Sequence, residues 1–218
     1  YREFPQKAEN VFTVNTLSTA KLLSYAQEIG VKKFILASTG GVYGVGPARF
    51  SEDQAILAKG ESGYYIGSRL CSEILSECYE KWMDIITLRF FFVFGEGQRP
   101  NMLIPRLIET VRNDLPIKLK GENGLSINPI YVSDAVNVLN KAISVAGSHK
   151  VNIAGSSILN LRQIGNIIGD VLGKKVFFEI EESNENQDIV GDISLMKSLL
   201  CRPKVDFEQA IRDYIIKL

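Results

Sequence analysis

Apolar and polar residues follow one another along the first half of the chain in blocks that predict helices and strands in turn. Apolar side chains recur at helical spacing over residues 8–29, and Gly30 is suited to end that helix. A continuous apolar run within residues 33–37 is typical of a parallel strand covered on both faces. A second helix over residues 63–82 and a second strand over residues 85–91 follow. This order predicts an α/β fold with a doubly wound parallel sheet.

Shorter and more mixed elements are predicted after residue 95. Two polar stretches, 44–62 and 183–187, are typical of loops. Ser133 and Asp134 are suited to cap a helix that continues to about residue 146, and Asp192 is suited to cap a short helix. The other predicted elements are helices over 102–113, 161–172 (ended by Gly173) and 207–216, and strands over 117–120, 151–154 and 176–180. The shorter elements indicate that the chain after residue 95 is arranged differently from the first half.

The composition is that of an ordinary globular chain with enough residues to bury a substantial core. Of 218 residues, 45% are hydrophobic, and 25 lysines and arginines balance 25 aspartates and glutamates. No net charge attracts the chain to nucleic acid or to an anionic membrane. No apolar run approaches the length of about 18 residues that suggests a membrane span. We therefore expect a cytoplasmic protein with neither nucleic acid nor a membrane as a partner.

The three cysteines do not form a metal-ligand pattern with the single histidine, His149. Cys71 and Cys78 fall on an apolar face of the helix predicted over residues 63–82, and Cys201 is distant in sequence. We therefore predict buried free thiols in a reducing compartment, and no metal site.

A hydroxyl at the end of a strand and a tyrosine at the start of a helix form the clearest candidate for chemistry. Thr39 follows the first predicted strand, and Tyr65 and Arg69 lie one helical turn apart, so both can face one site. A cation beside a tyrosine stabilises its phenolate, which a tyrosine that transfers protons requires. Two alternatives remain open at this point. Tyr65 and Arg69 lie on a solvated helix face, or Arg69 pairs with Glu73 one turn further on.

Several further segments occur in an order typical of one enzyme family. They are residues 15–19 (NTLST), 38–44 (STGGVYG), 88–95 (LRFFFVFG), 116–121 (PIKLKG) and 128–134 (NPIYVSD). With Tyr65 in a helix similar to YxxxK, the chain resembles the extended short-chain dehydrogenase/reductases, specifically the NAD(P)-dependent sugar-nucleotide epimerases and dehydratases. The resemblance implies a Rossmann-like doubly wound sheet, with residues 1–95 as its C-terminal half. Residues 96–218 then hold mainly a smaller α/β substrate-binding lobe, with some segments returning to the sheet.

The position of the first residue within this resemblance is itself informative. Tyr1 aligns just before the family's fourth helix, and no GxxGxxG turn follows a strand at the start of the chain. That turn is where the family holds the dinucleotide pyrophosphate. We therefore expect the sequence to be a fragment that lacks the N-terminal portion of its family.

The resemblance also implies a role for each motif residue. Tyr65 is the general acid/base, Thr39 orients the substrate oxygen, and Arg69 stands where the family has a lysine that positions the cofactor ribose. The contacts implied for the cofactor, NAD or NADP, are Asn15, Ser38, Tyr65, Arg69 and Phe92. The contacts implied for a nucleotide-sugar substrate are Thr39, Arg99, Arg106 and Lys120.

A few positions depart from the family pattern. Arg69 replaces the lysine, and residues 127–129 (INP) replace a segment whose arginine contacts the nucleotide phosphates. Lys120 replaces an aromatic residue and Phe92 an asparagine. Residues 40–41 are glycines where 4,6-dehydratases have an Asp-Glu pair, which argues against that reaction. We therefore predict an NAD(P)-dependent epimerase or reductase of a nucleotide-linked sugar. The alternative is a catalytically impaired relative that binds a dinucleotide or a partner.

The resemblance further implies a homodimer that forms through the helix bearing the tyrosine and the long helix before it. Ile66, Leu70, Ile74 and Cys78 are spaced to form such an apolar face. Burial of the same side chains within one subunit is the alternative.

Overall fold

Helices and strands follow one another along the described part of the chain. The computed structural model describes residues 4–46, 49–56, 63–183 and 188–217. In the first half the elements are α1 (Ala8–Phe12), a π-helical turn (Thr13–Leu17), α2 (Ser18–Glu28), β1 (Lys33–Thr39), a 3-10 turn (Gly40–Tyr43), α3 (Gly63–Glu77), β2 (Asp84–Phe90) and β3 (Val93–Phe94). In the second half they are α4 (Leu103–Arg112), β4 (Ile117–Lys120), β5 (Ser126–Ile127), β6 (Ile130–Tyr131), α5 (Val132–Ala142), β7 (His149–Ile153), β8 (Leu159–Asn160), α6 (Leu161–Leu172), β9 (Phe178–Glu181), α7 (Ser194–Leu199) and α8 (Phe207–Ile216).

The main sheet has three parallel strands in the order β1-β2-β7. Lys33 of β1 lies opposite Asp84 of β2, and Ile86 of β2 lies opposite His149 of β7. α3 packs against β1 and β2, and α7 packs against β7. The central strand β2 is consequently buried along most of its length. The predicted α/β fold with a parallel sheet is confirmed.

The second half builds a separate apolar core. α6 packs against α4 and α8, and β4 pairs in parallel with β9. The α6 helix begins with a reciprocal capping box between Asn160 and Gln163 and ends at Gly173, whose φ is 65°. The predicted bounds of β4, α6 and α8 are those found. Buried members of this core include Ile104, Ile108, Leu119, Ile164 and Ile211.

The single helix predicted over residues 8–29 is divided by a π-helical turn at Asn15. The backbone carbonyl of Asn15 accepts hydrogen bonds from the hydroxyls of Thr19, at 2.6 Å, and of Ser72 in α3, at 2.7 Å. The Asn15 side-chain amide donates to the hydroxyl of Ser68, also in α3, at 2.8 Å. The predicted helix is therefore found over residues 8–28, with one π-helical turn inside it beside the contacts with α3.

Asp134 does not cap α5 as predicted. The helix already begins at Val132, so Asp134 lies in its first turn and is 3% exposed. Its carboxylate accepts the backbone N–H groups of Lys204 and Val205, each at 2.9 Å. Asp134 therefore ties the C-terminal segment to α5, a contact between distant parts of the chain.

The predicted burial of Cys71 and Cys78 was also wrong, because both thiols are free and exposed. The buried face of α3 consists mainly of small polar side chains and one carboxylate, and it turns the cysteines toward the surface. Buried on that face are Ile66, Ser68, Ser72, Glu73 and Ser76. Among the described helices, none has both the length and the apolar character needed to cross a membrane.

Candidate functional site

A cleft of about 360 Å³ opens beside the carboxyl ends of β1 and β2. In parallel α/β sheets this is the edge at which ligands bind. Thr39, the last residue of β1, and Tyr65, near the start of α3, both line it. Two positions that are 26 apart in sequence are thus brought to one cavity. The apolar part of the lining comprises Phe90, Phe91, Phe92, Val93, Met102, Leu103, Ile104 and Ile189.

Thr39 is held by the turn that follows it. Its backbone is still extended, and its side-chain oxygen accepts the Gly41 N–H at 3.1 Å. A Cβ atom on Gly40 would lie 2.4 Å from the Phe91 ring, so a glycine is needed where the chain turns away from the sheet. Because the Thr39 oxygen accepts a backbone N–H, its own hydrogen remains available for donation into the cleft.

Arg69 lies beside Tyr65 as the helical spacing predicts. Its guanidinium carbon is 5.9 Å from the centroid of the Tyr65 ring, within the range of a cation–π contact. The Arg69 Nε atom is buried and has no hydrogen-bond partner among the described residues. The alternative in which Arg69 pairs with Glu73 is not found, because Glu73 is fully buried and binds Arg89. The charge of Arg69 is therefore left beside the tyrosine.

A buried polar network lies below the cleft and connects its walls. Arg89 of β2 forms an ion pair with Glu73 of α3 at 2.7 Å and donates to the Tyr43 hydroxyl at 2.6 Å. The Tyr43 hydroxyl donates to Asn152 of β7 at 2.9 Å, and the Ser38 hydroxyl donates to Glu73. The network therefore joins β1, which bears Thr39, and α3, which bears Tyr65, to β2 and β7.

The ionisation states within this network follow from burial and pairing. Burial raises the pKa of the Tyr43 phenol despite the neighbouring Arg89, so Tyr43 stays protonated and can donate to Asn152. Burial by itself lowers the pKa of Arg89, but hydrogen bonds and attraction to Glu73 raise it overall. Sequence reasoning missed this network, although an arginine inside the apolar run of β2 was the signal for it.

The other residues predicted for the site have different positions. Ser38 and Phe92 line the cleft, whereas Asn15 is buried between the N-terminal helices and α3. Phe92 has a φ of 45°, a left-handed conformation that costs a bulky residue about 1–2 kcal/mol. Three predicted substrate contacts are exposed and do not line the cleft, so their role stays a prediction. These are Arg99, Arg106 and Lys120.

Gln98 lines the cleft and was not predicted from the sequence. Its side-chain N–H donates to the backbone carbonyl of Val93 at 2.7 Å. A carbonyl only accepts hydrogen bonds, so this contact fixes which end of the amide is the NH₂ group. The amide oxygen Oε1 is buried and has no partner within the described residues. Gln98, a residue that lines the cleft, thus has an acceptor that is unpaired in the described part of the chain, a property that only the fold reveals.

Comparisons with known proteins identify relatives of this chain. A family model for the NAD dependent epimerase/dehydratase family matches residues 2–154. The chain is 28% identical over 204 residues to UDP-glucuronate 4-epimerase of Thermodesulfobacterium geofontis, covering 91% of this chain and 62% of the relative. It is 30% identical over 204 residues to dTDP-4-dehydro-6-deoxyglucose reductase of Escherichia coli, covering 87% of this chain and 62% of the relative. The chain thus spans less than two thirds of the length of these relatives.

Solved structures with a similar fold are also found. The UDP-glucuronic acid 4-epimerase from Bacillus cereus, in complex with NAD, superposes with a TM-score of 0.81 and is 27% identical. The matched region covers 93% of this chain and 67% of that structure.

Proposed function

Because the chain belongs to the NAD dependent epimerase/dehydratase family, we propose that it carries the catalytic portion of an NAD-dependent epimerase or reductase that acts on a nucleotide-linked sugar. The observation that carries the proposal is the shared cleft of Thr39 and Tyr65. A hydroxyl donor and a proton-transferring tyrosine at one cavity are what oxidation and reduction of a sugar carbon require. The relatives' names support the substrate class, since they include a UDP-sugar epimerase and a dTDP-sugar reductase.

In this proposal each side chain has a defined task. The Thr39 hydroxyl donates to the sugar oxygen at the reacting carbon. Tyr65 takes the hydroxyl proton as that carbon is oxidised and returns a proton when it is reduced. Arg69 supplies the positive charge that stabilises the tyrosine's phenolate, in place of the lysine that the family pattern has.

One feature of the residues around Tyr65 supports the assignment of a dinucleotide to this site. Arg69 has a buried Nε without a partner among the described residues, a donor suited to a ribose hydroxyl. Tyr65, Ser38 and Phe92 border the same cleft, and we assign them to the nicotinamide end of the cofactor. A bound NAD would supply the acceptor for the hydride that leaves the sugar carbon and the donor for its return. Asn15 has a supporting task, because its contacts hold α3 rather than face the cleft.

We further propose that two copies pair through the outer faces of α2 and α3, in the cytoplasm. The exposed apolar side chains there include Leu22 and Tyr25 of α2 and Ile74 and Leu75 of α3, each at least 36% exposed. Of the four residues predicted for this face, Ile66 is instead buried within the subunit, whereas Ile74 is 53% exposed. An apolar surface shared by two adjacent helices favours association. The three free cysteines favour a reducing compartment.

The test of the proposed function uses the protein expressed from its complete reading frame, with NAD and a panel of UDP- and dTDP-sugars. Tyr65→Phe removes the proton-transferring hydroxyl and should lower turnover by at least about 100-fold while NAD still binds. Tyr64→Phe, at the neighbouring position, is the matched control and should keep wild-type turnover. Arg69→Lys restores the family's residue and should raise turnover. Products are separated by chromatography, and reduced nicotinamide is followed by absorbance.

Two results would decide against this function. Equal turnover in Tyr65→Phe and Tyr64→Phe would remove Tyr65 from the chemistry. Binding of NAD without turnover of any nucleotide sugar, in both the wild type and Arg69→Lys, would favour the catalytically impaired relative that binds a dinucleotide.

A further inference from the structure

The cleft that holds Thr39 and Tyr65 has no charged side chain among the described residues that line it. Its walls are built mainly from phenylalanine, methionine and branched aliphatic side chains, which cannot pair with an ionised group. Arg69 lies beside the Tyr65 ring, and in the proposed function the phenolate and the cofactor ribose engage it. Arg99 and Arg106 are exposed and outside the lining. A carboxylate that enters such a cavity loses its hydration without gaining a cation that is not already engaged, which is costly.

The polar groups at the cleft wall are few, and most have a task already. The Ser38 hydroxyl donates to Glu73, and the Thr39 and Tyr65 hydroxyls serve the reacting oxygen in the proposed function. Gln98 remains, with its amide oxygen buried and without a partner within the described residues. A buried acceptor without a donor is costly, and the cost is removed when a ligand hydroxyl or N–H group donates to it.

Gln98 also lines a second cavity. That cavity is lined in addition by Glu96, Gly97, Tyr214 and Lys217. The two charged groups there, Glu96 and Lys217, form an ion pair with each other. They are therefore engaged, and neither lines the cleft with Tyr65.

From this lining we propose that the site takes a nucleotide sugar whose sugar ring is uncharged and in part deoxygenated, not a uronic acid, and that Gln98 selects it by accepting a hydrogen bond. The inference rests on the proposed function and names its substrate class. It runs against the likeness to a UDP-glucuronate 4-epimerase, whose name specifies a uronic acid. A methyl group at C6 lies against the apolar wall at no cost in hydrogen bonds, whereas a carboxylate there would be unpaired.

Three ligands that differ only at C6 provide the test. UDP-6-deoxyglucose, UDP-glucose and UDP-glucuronic acid carry a methyl, a hydroxymethyl and a carboxylate group on the same ring, and the corresponding dTDP-sugars form a second series. Affinities are measured by calorimetry with the complete protein in the presence of NAD. We expect the 6-deoxy sugar to bind at least as tightly as the glucose form, and both to bind about 10-fold or more tightly than the uronic acid.

The outcomes separate the inference from the function on which it rests. A uronic acid that binds as tightly as the neutral sugars overturns the inference and leaves the epimerase or reductase in place. Absence of binding by all members of both series overturns the proposed function, and the inference with it.

Substitutions at Gln98 test its part in the selection. Gln98→Leu removes the acceptor and should weaken binding of the neutral sugars about 5- to 10-fold. Gln98→Arg adds a cation at the wall and should bring the uronic acid to parity with glucose or beyond it. Gln27→Leu, on the exposed side of α2, is the control and should change neither affinity. Urea midpoints report whether each variant is folded, and unchanged ligand ratios in folded Gln98 variants would overturn the role of Gln98.

Discussion

Removing Arg89 from its buried ion pair with Glu73 should destabilise the fold more than the loss of any single hydrogen bond in that pair would. Arg89 is 1% exposed and Glu73 is fully buried, and three hydrogen bonds join the guanidinium to the carboxylate. Arg89→Met keeps most of the side-chain volume but leaves the carboxylate without its cation. Breaking a buried pair on one side costs about 3–5 kcal/mol in free energy of unfolding.

The structure favours the lower end of that range. After the substitution, Glu73 keeps the hydrogen bond from Ser38 and has the Lys150 ammonium group 3.9 Å away. These contacts compensate part of the lost attraction, so we expect a loss of about 3 kcal/mol. The double variant Glu73→Leu with Arg89→Met removes both charges and should lose less than Arg89→Met alone.

Urea unfolding followed by circular dichroism measures these differences. The control is the ion pair of Arg212 and Glu208 in α8. A guanidinium nitrogen lies 2.6 Å from a carboxylate oxygen, and the two side chains are 47% and 51% exposed. Arg212→Met there should cost no more than about 0.5 kcal/mol. A loss below about 1 kcal/mol for Arg89→Met would refute the reasoning. So would a double variant in which the two single losses simply add.

Two further measurements address other parts of the fold. Gly67→Ala, inside α3 with open space around the added Cβ, should raise the free energy of unfolding by about 0.5–1 kcal/mol. Gly155→Ala should lower the free energy of unfolding by at least about 2 kcal/mol, because the added Cβ would lie 2.0 Å from the backbone oxygen of Pro129. Similar urea midpoints for the two variants would contradict this difference. Hydrogen bonds from Ser194 lower the pKa of the Asp192 carboxyl. The resulting stabilisation is present above the unfolded pKa of about 4 and lost as pH falls through the folded value. Asp192→Asn should therefore be less stable than the wild type at pH 7 and approach the wild-type stability in acid. Urea titrations from pH 7 to pH 2 measure this, and a constant difference in free energy of unfolding would exclude the linkage.

Local patterns in the sequence were sufficient for the elements whose causes are local. The capping residues and apolar periodicity of α6 and α8 act within a few positions, so both helices have the predicted bounds. The parallel sheet follows for a similar reason, because near-continuous apolar strands separated by helices are stable only when both faces are covered. Thr39 and Tyr65 could be selected together because strand ends and helix starts meet at one edge of such a sheet.

The remaining features depend on contacts between distant positions. Asp134 was predicted to cap a helix, but its carboxylate binds the backbone of Lys204, which is distant in sequence. Glu73 was considered as a partner of Arg69, but it pairs with Arg89. A helical pattern also does not say which face is buried when small polar residues fill it, which is why Cys71 is exposed rather than buried. The sequence by itself determined the order of elements and the pair of residues proposed for proton transfer. Only the tertiary structure decided which polar groups are paired and that no charged side chain is among the described residues lining the cleft, because desolvation and pairing depend on every side chain that packing brings to the same place.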